Sequence, residues 1–227
     1  ILGSFATVDE VIEGLNKVSV VGSFIADIQG EAPFHYAVTD KSGRSIVVEY
    51  TDAGLRIFEN TVNAVCNNPT YDWHMTNLRN YVNLTPDNSK GFSLNDDKYT
   101  ALGEGTGMLG LPGDYTSPSR FVRATAFINT ALPSKNAEEG VFRAFHILNA
   151  FDIPKGLVRE ETNGQVMAEY TIWTTVADTK NGAYYFKTYN NQSIKKLDLK
   201  QILKQVDGKV TVIDSETPRG YELLSSN

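Results

Sequence analysis

The chain has 227 residues, which is long enough to bury one sizeable hydrophobic core. Hydrophobic residues make up 41% of it and charged residues 21%, a balance typical of a globular protein. The net charge of -6, with no run of Lys and Arg, argues against nucleic acid as a partner. No apolar stretch approaches the roughly 18 residues that a membrane span requires.

The first part of the chain predicts one helix followed by an antiparallel meander. A capping-box pattern, Thr7 with Glu10 three residues later, begins a helix that continues to Leu15. One face of that helix carries Val8, Val11, Ile12 and Leu15. Segments rich in β-branched and aromatic residues then predict strands at residues 34–39, 45–50, 55–58 and 62–66, with turns at 41–43 and 52–54. A run of hairpins after a helix favours a layered α+β domain over alternating βαβ units.

The later part of the chain predicts helices and then strands again. Residues 71–82 have helical periodicity, whereas residues 87–99 are polar and predict a loop. Ser117 as N-cap and Pro118 at the first helical position begin a helix that ends at Pro133. A neighbouring helix is predicted over 137–151, and strands follow at 170–176, 183–189, 195–199 and 210–213.

Two arginines stand out at the start of the third predicted helix. Arg120 and Arg123 lie near its N-terminal turn, where the helix dipole favours anions by about 0.3–1 kcal/mol. Cations placed against this preference indicate either a nearby anionic group at a functional site or ordinary solvated or paired arginines.

The remaining reactive side chains favour structural roles. Cys66, the only cysteine, excludes an internal disulfide; it ends an apolar segment without a nearby histidine or lysine, which favours a structural residue. The histidines, His35, His74 and His146, lack metal-ligand spacing and are expected to be buried or partly buried. We therefore predict neither a metal site nor a cofactor.

Several ordered motifs together resemble the choloylglycine hydrolase family. They are NNPTYDWH at 67–74, LPGDYTSPSRFVR at 111–123, FHILN at 145–149, IPKG at 153–156 and AYYFKTY at 183–189. The family comprises conjugated bile acid hydrolases and penicillin V acylases within the N-terminal-nucleophile hydrolases. The resemblance extends from about Phe5 to about Leu199. It implies an α+β fold, the αββα four-layer sandwich, with residues 1–227 as a single domain that corresponds to its C-terminal two thirds and lacks the N-terminal portion.

The resemblance also implies a reaction. It is the hydrolysis of a linear amide bond by an N-terminal cysteine whose own α-amino group acts as the general base. Conjugated bile salts, with glycine or taurine, are the favoured substrates, and penicillin V is the alternative. Because this chain begins with Ile1, we expect the nucleophile to lie outside it and the 227 residues alone to be inactive. A non-catalytic fragment or binding module is a further alternative.

Site residues follow from the same motifs. Asn67 and Arg123 are implied to be catalytic, as an oxyanion donor and as a cation that lowers the thiol pKa. Asn68 and Arg120 rank second, since a register shift of one residue or one helical turn would exchange the roles. Without the resemblance, the residues alone favour the alternative that Asn67 is only a turn residue before Pro69 and Arg123 only a charge on a helix surface.

The implied substrate pocket is hydrophobic. The loop that carries Phe24, Ile25 and Ile28 corresponds to a pocket-lining loop of the family, although ordinary packing at a strand end would explain the same residues. The partner is then a small hydrophobic amide, and the resemblance implies a homotetramer. The sequence does not separate the two substrate classes, and it leaves a bacterial cytoplasmic or an exported location open.

Overall fold

The computed structural model describes residues 1–26, 30–31, 34–162, 164–205, 210 and 212–213, with Thr162 and Gln205 described by their backbone. The chain divides into two compact units, Ile1–Ala131 and Leu132–Asn227. No helix in the described ranges is both long enough and apolar enough to cross a bilayer.

The first unit combines three helices with short antiparallel strands. Its helices are α1 (Val8–Leu15), α2 (Tyr71–Asn77) and α3 (Ser117–Thr130), and its strands are β1 (Phe24–Ile25), β2 (Gly30–Glu31), β3 (His35–Thr39), β4 (Ser45–Thr51), β5 (Gly54–Glu59), β6 (Phe92–Leu94) and β7 (Asp97–Tyr99). Strands β3, β4 and β5 form one antiparallel sheet in that order, whereas β1–β2 and β6–β7 are separate two-stranded pairs. Single 3₁₀ turns follow α2, at Leu78–Tyr81, and precede α3, at Thr106–Met108.

Helix α1 begins where the capping pattern predicts. The Thr7 hydroxyl accepts a hydrogen bond from the Glu10 backbone N–H at 3.3 Å. The Glu10 carboxylate accepts from the Ala6 N–H at 2.7 Å, one residue before the N-cap that the standard motif would use. The apolar face of the helix buries Val8 and Val11.

The core of this unit lies on both faces of β4. Because successive strand residues point to opposite faces, Ile46 and Val48 pack against α1, whereas Val47 packs with Tyr71 of α2 and Phe121 of α3. These three β4 side chains are all 0% exposed. The strand is therefore covered by α1 on one side and by α2 and α3 on the other.

Two predictions of strand and loop in this unit are wrong. Residues 62–66 form no strand, because the Val62 carbonyl accepts a hydrogen bond from the Asn129 side chain at 3.1 Å and Asn63 adopts a left-handed φ of 56°. Residues 87–99 are not all loop, since they contain the β6–β7 hairpin. Asn95, with a φ of 54°, forms the turn of that hairpin, and asparagine tolerates this conformation better than most residues.

The second unit places one helix against a three-stranded sheet. Its elements are α4 (Ala137–Asn149), β8 (Val158–Thr162), β9 (Gln165–Glu169), β10 (Trp173–Asp178), β11 (Ala183–Thr188), β12 (Lys195–Asp198) and α5 (Leu199–Gln205). Strands β10, β11 and β12 form an antiparallel sheet, and α4 packs against β10. The Asn136 side chain caps α4 by accepting from the Glu139 N–H at 2.9 Å. Helices over antiparallel strands confirm the predicted α+β class.

The predictions for this unit hold for its centre and less well at its ends. The strands predicted at 183–189 and 195–199 are present as β11 and β12. The strand predicted at 170–176 begins at Trp173, because Thr171 donates its N–H to the Ile153 carbonyl instead. The strand predicted at 210–213 includes a residue outside the described part of the chain, and Val210, Val212 and Ile213 are not in a strand.

Candidate active site

A turn held by Asp114 leads into α3. The Asp114 carboxylate accepts hydrogen bonds from the Ser119 hydroxyl at 2.6 Å, and from the Thr116 hydroxyl and N–H at 2.6 and 2.9 Å. These bonds, that from Ser119 first, lower the pKa of Asp114 to about 2. Asp114 is consequently ionised at neutral pH and fixes the turn.

The helix begins one residue earlier than predicted. Thr116, not Ser117, is the N-cap, and the Thr116 hydroxyl bonds to Asp114 rather than to a helix N–H. The Ser117 hydroxyl is instead directed to the Asn67 carbonyl at 2.6 Å. Pro118 lies in the first turn, as predicted.

Three hydrogen bonds hold Asn67. Its backbone carbonyl accepts from the Ser117 hydroxyl and contacts His74 Nε2 at 2.8 Å. Its side-chain Oδ1 accepts from Arg120 Nη2 at 2.8 Å. Asn67 is thus connected to α2 through the histidine and to α3 through the serine and the arginine. Its neighbour Asn68 is exposed and precedes Pro69 through a cis peptide bond.

Arg120 is held from two sides. Its Nε donates to the Tyr115 carbonyl at 3.0 Å, while Nη2 donates to Asn67 Oδ1. The guanidinium is permanently charged and planar, and these two bonds fix its orientation. A positive charge therefore lies directly beside the Asn67 side-chain amide.

Arg123 lies one helical turn later and is only 5% exposed. Its Nη1 donates to the carbonyls of Pro112 and Asp114 at 2.8 and 2.6 Å. These bonds hold the loop before α3 onto the helix. Of the four polar residues predicted for the site, the structure brings Asn67 and Arg120 into direct contact and places Arg123 against the loop carbonyls. The catalytic role of Arg123 stays a prediction.

The predicted substrate loop is described in part. Phe24 and Ile25 form the short strand β1, where Phe24 is 70% and Ile25 37% exposed. Ile28 lies outside the described residues. Exposed apolar side chains suit a wall that a hydrophobic substrate would cover. Their role in binding stays a prediction.

The sequence did not identify every residue at this site. His74 is 1% exposed, and its ring stacks on Phe121 with centroids 4.5 Å apart and planes 12° apart. Helical periodicity placed His74 on a buried face, but no local pattern indicated its contact with the Asn67 carbonyl. The same holds for the Ser117 hydroxyl, which bonds to a residue 50 positions earlier.

Cys66 and His146 differ in burial. Cys66 is half-buried and packs against the apolar cluster that includes Val47 and Tyr71. His146 is exposed, contrary to the prediction, because the buried stripe of α4 follows Val141 and Phe145. Within the described ranges, no three His, Cys, Asp or Glu side chains are placed to hold a metal ion.

An amide donor beside a fixed guanidinium can stabilise negative charge. When a carbonyl carbon is attacked, its oxygen becomes an oxyanion, and preorganised donors lower the barrier because they need no reorientation. The Asn67 amide is preorganised in this way, since its backbone and its Oδ1 are both bonded.

Comparison with known proteins identifies the family. Residues 1–213 match the linear amide C–N hydrolases of the choloylglycine hydrolase family. The chain belongs to this family. The bile salt hydrolase/transferase of Clostridium perfringens is 36% identical over 210 residues, 92% of this chain and 62% of that protein. The corresponding protein of Lactiplantibacillus plantarum is 40% identical over 203 residues, 88% of this chain and 60% of that protein.

A more distant relative also matches. A penicillin V acylase of Pectobacterium atrosepticum is 27% identical over 219 residues, 89% of this chain and 51% of that protein. The chain thus spans about 60% of the length of the bile salt hydrolase relatives it matches.

Solved structures confirm the family fold. A mutant conjugated bile acid hydrolase from Clostridium perfringens superposes with a TM-score of 0.84 at 33% identity, covering 99% of this chain and 67% of that one. A penicillin V acylase from Agrobacterium tumefaciens shares the fold with a TM-score of 0.63 at 24% identity, covering 87% of this chain and 53% of that one. The predicted α+β fold of the N-terminal-nucleophile hydrolases is confirmed.

Proposed function

We propose that the protein that carries this chain hydrolyses the linear amide bond of conjugated bile salts. Family membership supports amide hydrolysis, and the bile salt hydrolases at 36–40% identity support the substrate. The observation that carries the proposal is the contact between Asn67 and Arg120, which holds an amide donor and a permanent cation side by side.

The proposed reaction gives each of these residues a role. A cysteine thiolate attacks the carbonyl carbon of the substrate, and the Asn67 side-chain N–H groups donate to the oxyanion that forms. The α-amino group of that cysteine, which has taken the thiol proton as general base, gives the proton to the leaving nitrogen as the C–N bond breaks. Glycine or taurine leaves, and water then hydrolyses the thioester to the free acid and the thiol. Arg120 orients the Asn67 amide and stabilises negative charge beside it. The proposal assigns the nucleophile to an N-terminal cysteine outside these 227 residues, as the family resemblance implies.

Penicillin V hydrolysis is the second candidate function. The similarity to a penicillin V acylase, at 27% identity, favours it as the alternative. Both substrates present a hydrophobic acyl group next to the amide, so the chemistry at Asn67 and Arg120 would be the same. The residues that line the substrate pocket would determine which substrate is preferred, and Phe24, Ile25 and Ile28 are candidates for part of that lining.

The deciding experiment uses the natural polypeptide that carries this sequence. It is incubated separately with glycocholate, taurocholate and penicillin V, and released glycine, taurine and 6-aminopenicillanic acid are quantified by mass spectrometry. We expect release of the amino acids and a lower kcat/KM for penicillin V. The reverse order would assign penicillin V acylase, and the absence of all three products would leave a binding module.

Variants connect the activity to the site. Replacing one oxyanion donor typically lowers kcat by a factor of about 10²–10³, so we expect the kcat of Asn67→Ala to be lower than that of wild type by this factor. Asn80→Ala is the matched control, because Asn80 is exposed on the turn after α2. Loss of turnover in Asn68→Ala with retention in Asn67→Ala would exchange the roles of the two neighbours.

We make no new proposal for the oligomeric state. The homotetramer that the resemblance implies stays a prediction, and analytical ultracentrifugation of the natural polypeptide tests it.

A further inference from the structure

His74 is fixed in a buried position by two helices. It belongs to α2, and its ring lies flat against Phe121 of α3 at 4.5 Å between centroids. The Trp73 ring meets its edge at 5.5 Å and 83°. Only 1% of His74 is exposed. Close packing on these sides leaves the ring little freedom to rotate.

The hydrogen bond to Asn67 determines which ring nitrogen carries a hydrogen. His74 Nε2 lies 2.8 Å from the Asn67 carbonyl oxygen, and a carbonyl oxygen can only accept. Nε2 is therefore the donor. His74 Nδ1 is buried and has no hydrogen-bond partner among the described residues. A hydrogen on Nδ1 would thus be buried without an acceptor, which is unfavourable.

The Asn67 carbonyl oxygen receives a second donor from the other helix. The Ser117 hydroxyl donates to it at 2.6 Å, so both lone pairs of this oxygen are used. At the other end of the same residue, Oδ1 accepts from Arg120. The backbone and the side chain of Asn67 are consequently fixed at once.

We propose that His74 is a positioning residue for the amide hydrolysis, acting by donating Nε2–H to the Asn67 carbonyl. The proposal rests on the function proposed above, in which the Asn67 amide meets the oxyanion. His74 itself touches neither the substrate nor the reacting atoms. Fixing the Asn67 backbone limits where its amide can lie, and displacements of about 1 Å at a catalytic group can cost about 10²-fold in rate.

Two substitutions separate the donor from the ring. His74→Phe keeps an aromatic ring against Phe121 and removes the donor, whereas His74→Gln keeps an N–H donor and removes the ring. We expect His74→Phe to lower kcat for the preferred substrate by about 10–100-fold with KM within about twofold, because the oxyanion exists only after attack. We expect His74→Gln to retain kcat within about threefold of wild type. The exposed His146→Gln is the matched control and leaves kcat unchanged.

Nuclear magnetic resonance provides a readout that needs no turnover. In the wild-type protein labelled with ¹⁵N-histidine, we expect the neutral His74 ring to carry its hydrogen on Nε2, with slow exchange of that hydrogen. A hydrogen on Nδ1 in place of Nε2, or equal losses of kcat in the two His74 variants, would overturn the proposal. Absence of hydrolysis by the wild type would refute the proposed function while the ¹⁵N spectrum still reports on the hydrogen bond.

Discussion

Arg120 Nη2 lies 2.8 Å from Asn67 Oδ1, although 53 residues separate the two in the sequence. The position of Arg120 near the start of α3 is unfavourable for a cation, because the helix dipole is positive there. The acceptors Asn67 and Tyr115 offset this cost, since a charged donor forms hydrogen bonds of about 1.5–3 kcal/mol each. The arginine that is placed unfavourably for the helix dipole is thus the same residue that contacts Asn67 in the candidate site.

Arg120→Lys tests whether this contact matters for turnover. Lysine is a single point of charge and cannot bond to the Tyr115 carbonyl and Asn67 together in the geometry of a guanidinium. We expect kcat for the preferred amide substrate to fall by about 100-fold, with a small change in the thermal midpoint. The exposed Arg79→Lys serves as control. Wild-type kinetics in Arg120→Lys would exclude Arg120 from the site.

Glu49 should make stability fall as pH rises. This residue of β4 is 7% exposed, and burial raises the pKa of its carboxyl, although the Tyr71 N–H donates to Oε1 at 2.9 Å. The folded state therefore favours the protonated acid, and stability is lost as pH rises from the unfolded-state pKa of about 4.3 through the raised folded-state pKa. We expect the unfolding free energy of Glu49→Gln, relative to wild type, to increase between pH 4 and pH 7.

A second glutamate in the same sheet, Glu59, should change stability with pH in the opposite direction. Hydrogen bonds from Arg44 lower the pKa of Glu59 on β5. Its stabilisation is present above the unfolded-state pKa and is lost as pH falls through the folded-state pKa. Glu59→Gln should thus become less stable, relative to wild type, as pH rises through the lowered folded-state pKa to the unfolded-state value of about 4.3, and should keep that deficit up to neutral pH. Urea unfolding of both variants at several pH values measures the two slopes. Slopes of the same sign would contradict the assignment.

Asp114 should stabilise the α3 turn down to acidic pH. Its hydrogen bonds from Ser119 and Thr116 lower its pKa to about 2, below the unfolded-state value of about 3.9. The stabilisation is present above pH 4 and disappears as pH falls through about 2. We expect Asp114→Asn to unfold at a lower temperature than wild type at pH 7, with the difference shrinking toward pH 2. Asp52→Asn, in an exposed turn, is the control.

Lys187 should be important for the stability of the second unit. Its amine, in a residue only 5% exposed, donates to Asn149 at 2.5 Å, Gln192 at 2.9 Å and Asp152 at 3.0 Å. The side chain of its partner Asp152 is 35% exposed and stays solvated without the lysine, so the main cost of Lys187→Met is the loss of its hydrogen bonds. We expect this substitution to destabilise the protein by about 1–3 kcal/mol. Urea unfolding followed by Trp173 fluorescence in a Trp73→Phe background measures it. The exposed Lys200→Met should change stability by less than about 0.5 kcal/mol, and an equal effect of both would refute the prediction.

Local signals were sufficient where neighbours in sequence decide the structure. The capping pattern of α1 is complete within residues 6–10, and its helix begins and ends as predicted. The failed strand at 62–66 depends instead on Asn129, whose side chain bonds to the Val62 carbonyl 67 residues earlier. No property of the segment itself indicates that bond.

The sequence motif indicated which residues belong to the candidate site, but it did not indicate their contacts. Arg120 and Arg123 are one helical turn apart in the same motif, so sequence alone could not determine which one faces Asn67. The structure directs Arg120 to Asn67 and Arg123 to the Pro112 and Asp114 carbonyls. The contacts of His74 and Ser117 with the Asn67 carbonyl were missed because they join segments that only the fold brings together.

The burial of both faces of β4 has a consequence for changes in chain length. Inserting or deleting one residue within this strand would exchange its two faces, so that side chains selected to contact α1 would meet α2 and α3 instead. Homologous chains should therefore vary in length at the turns on either side, around Ser42 and Ala53, and not between Ser45 and Thr51. Inserted tags or reporter loops should likewise be tolerated at these two turns and not within the strand.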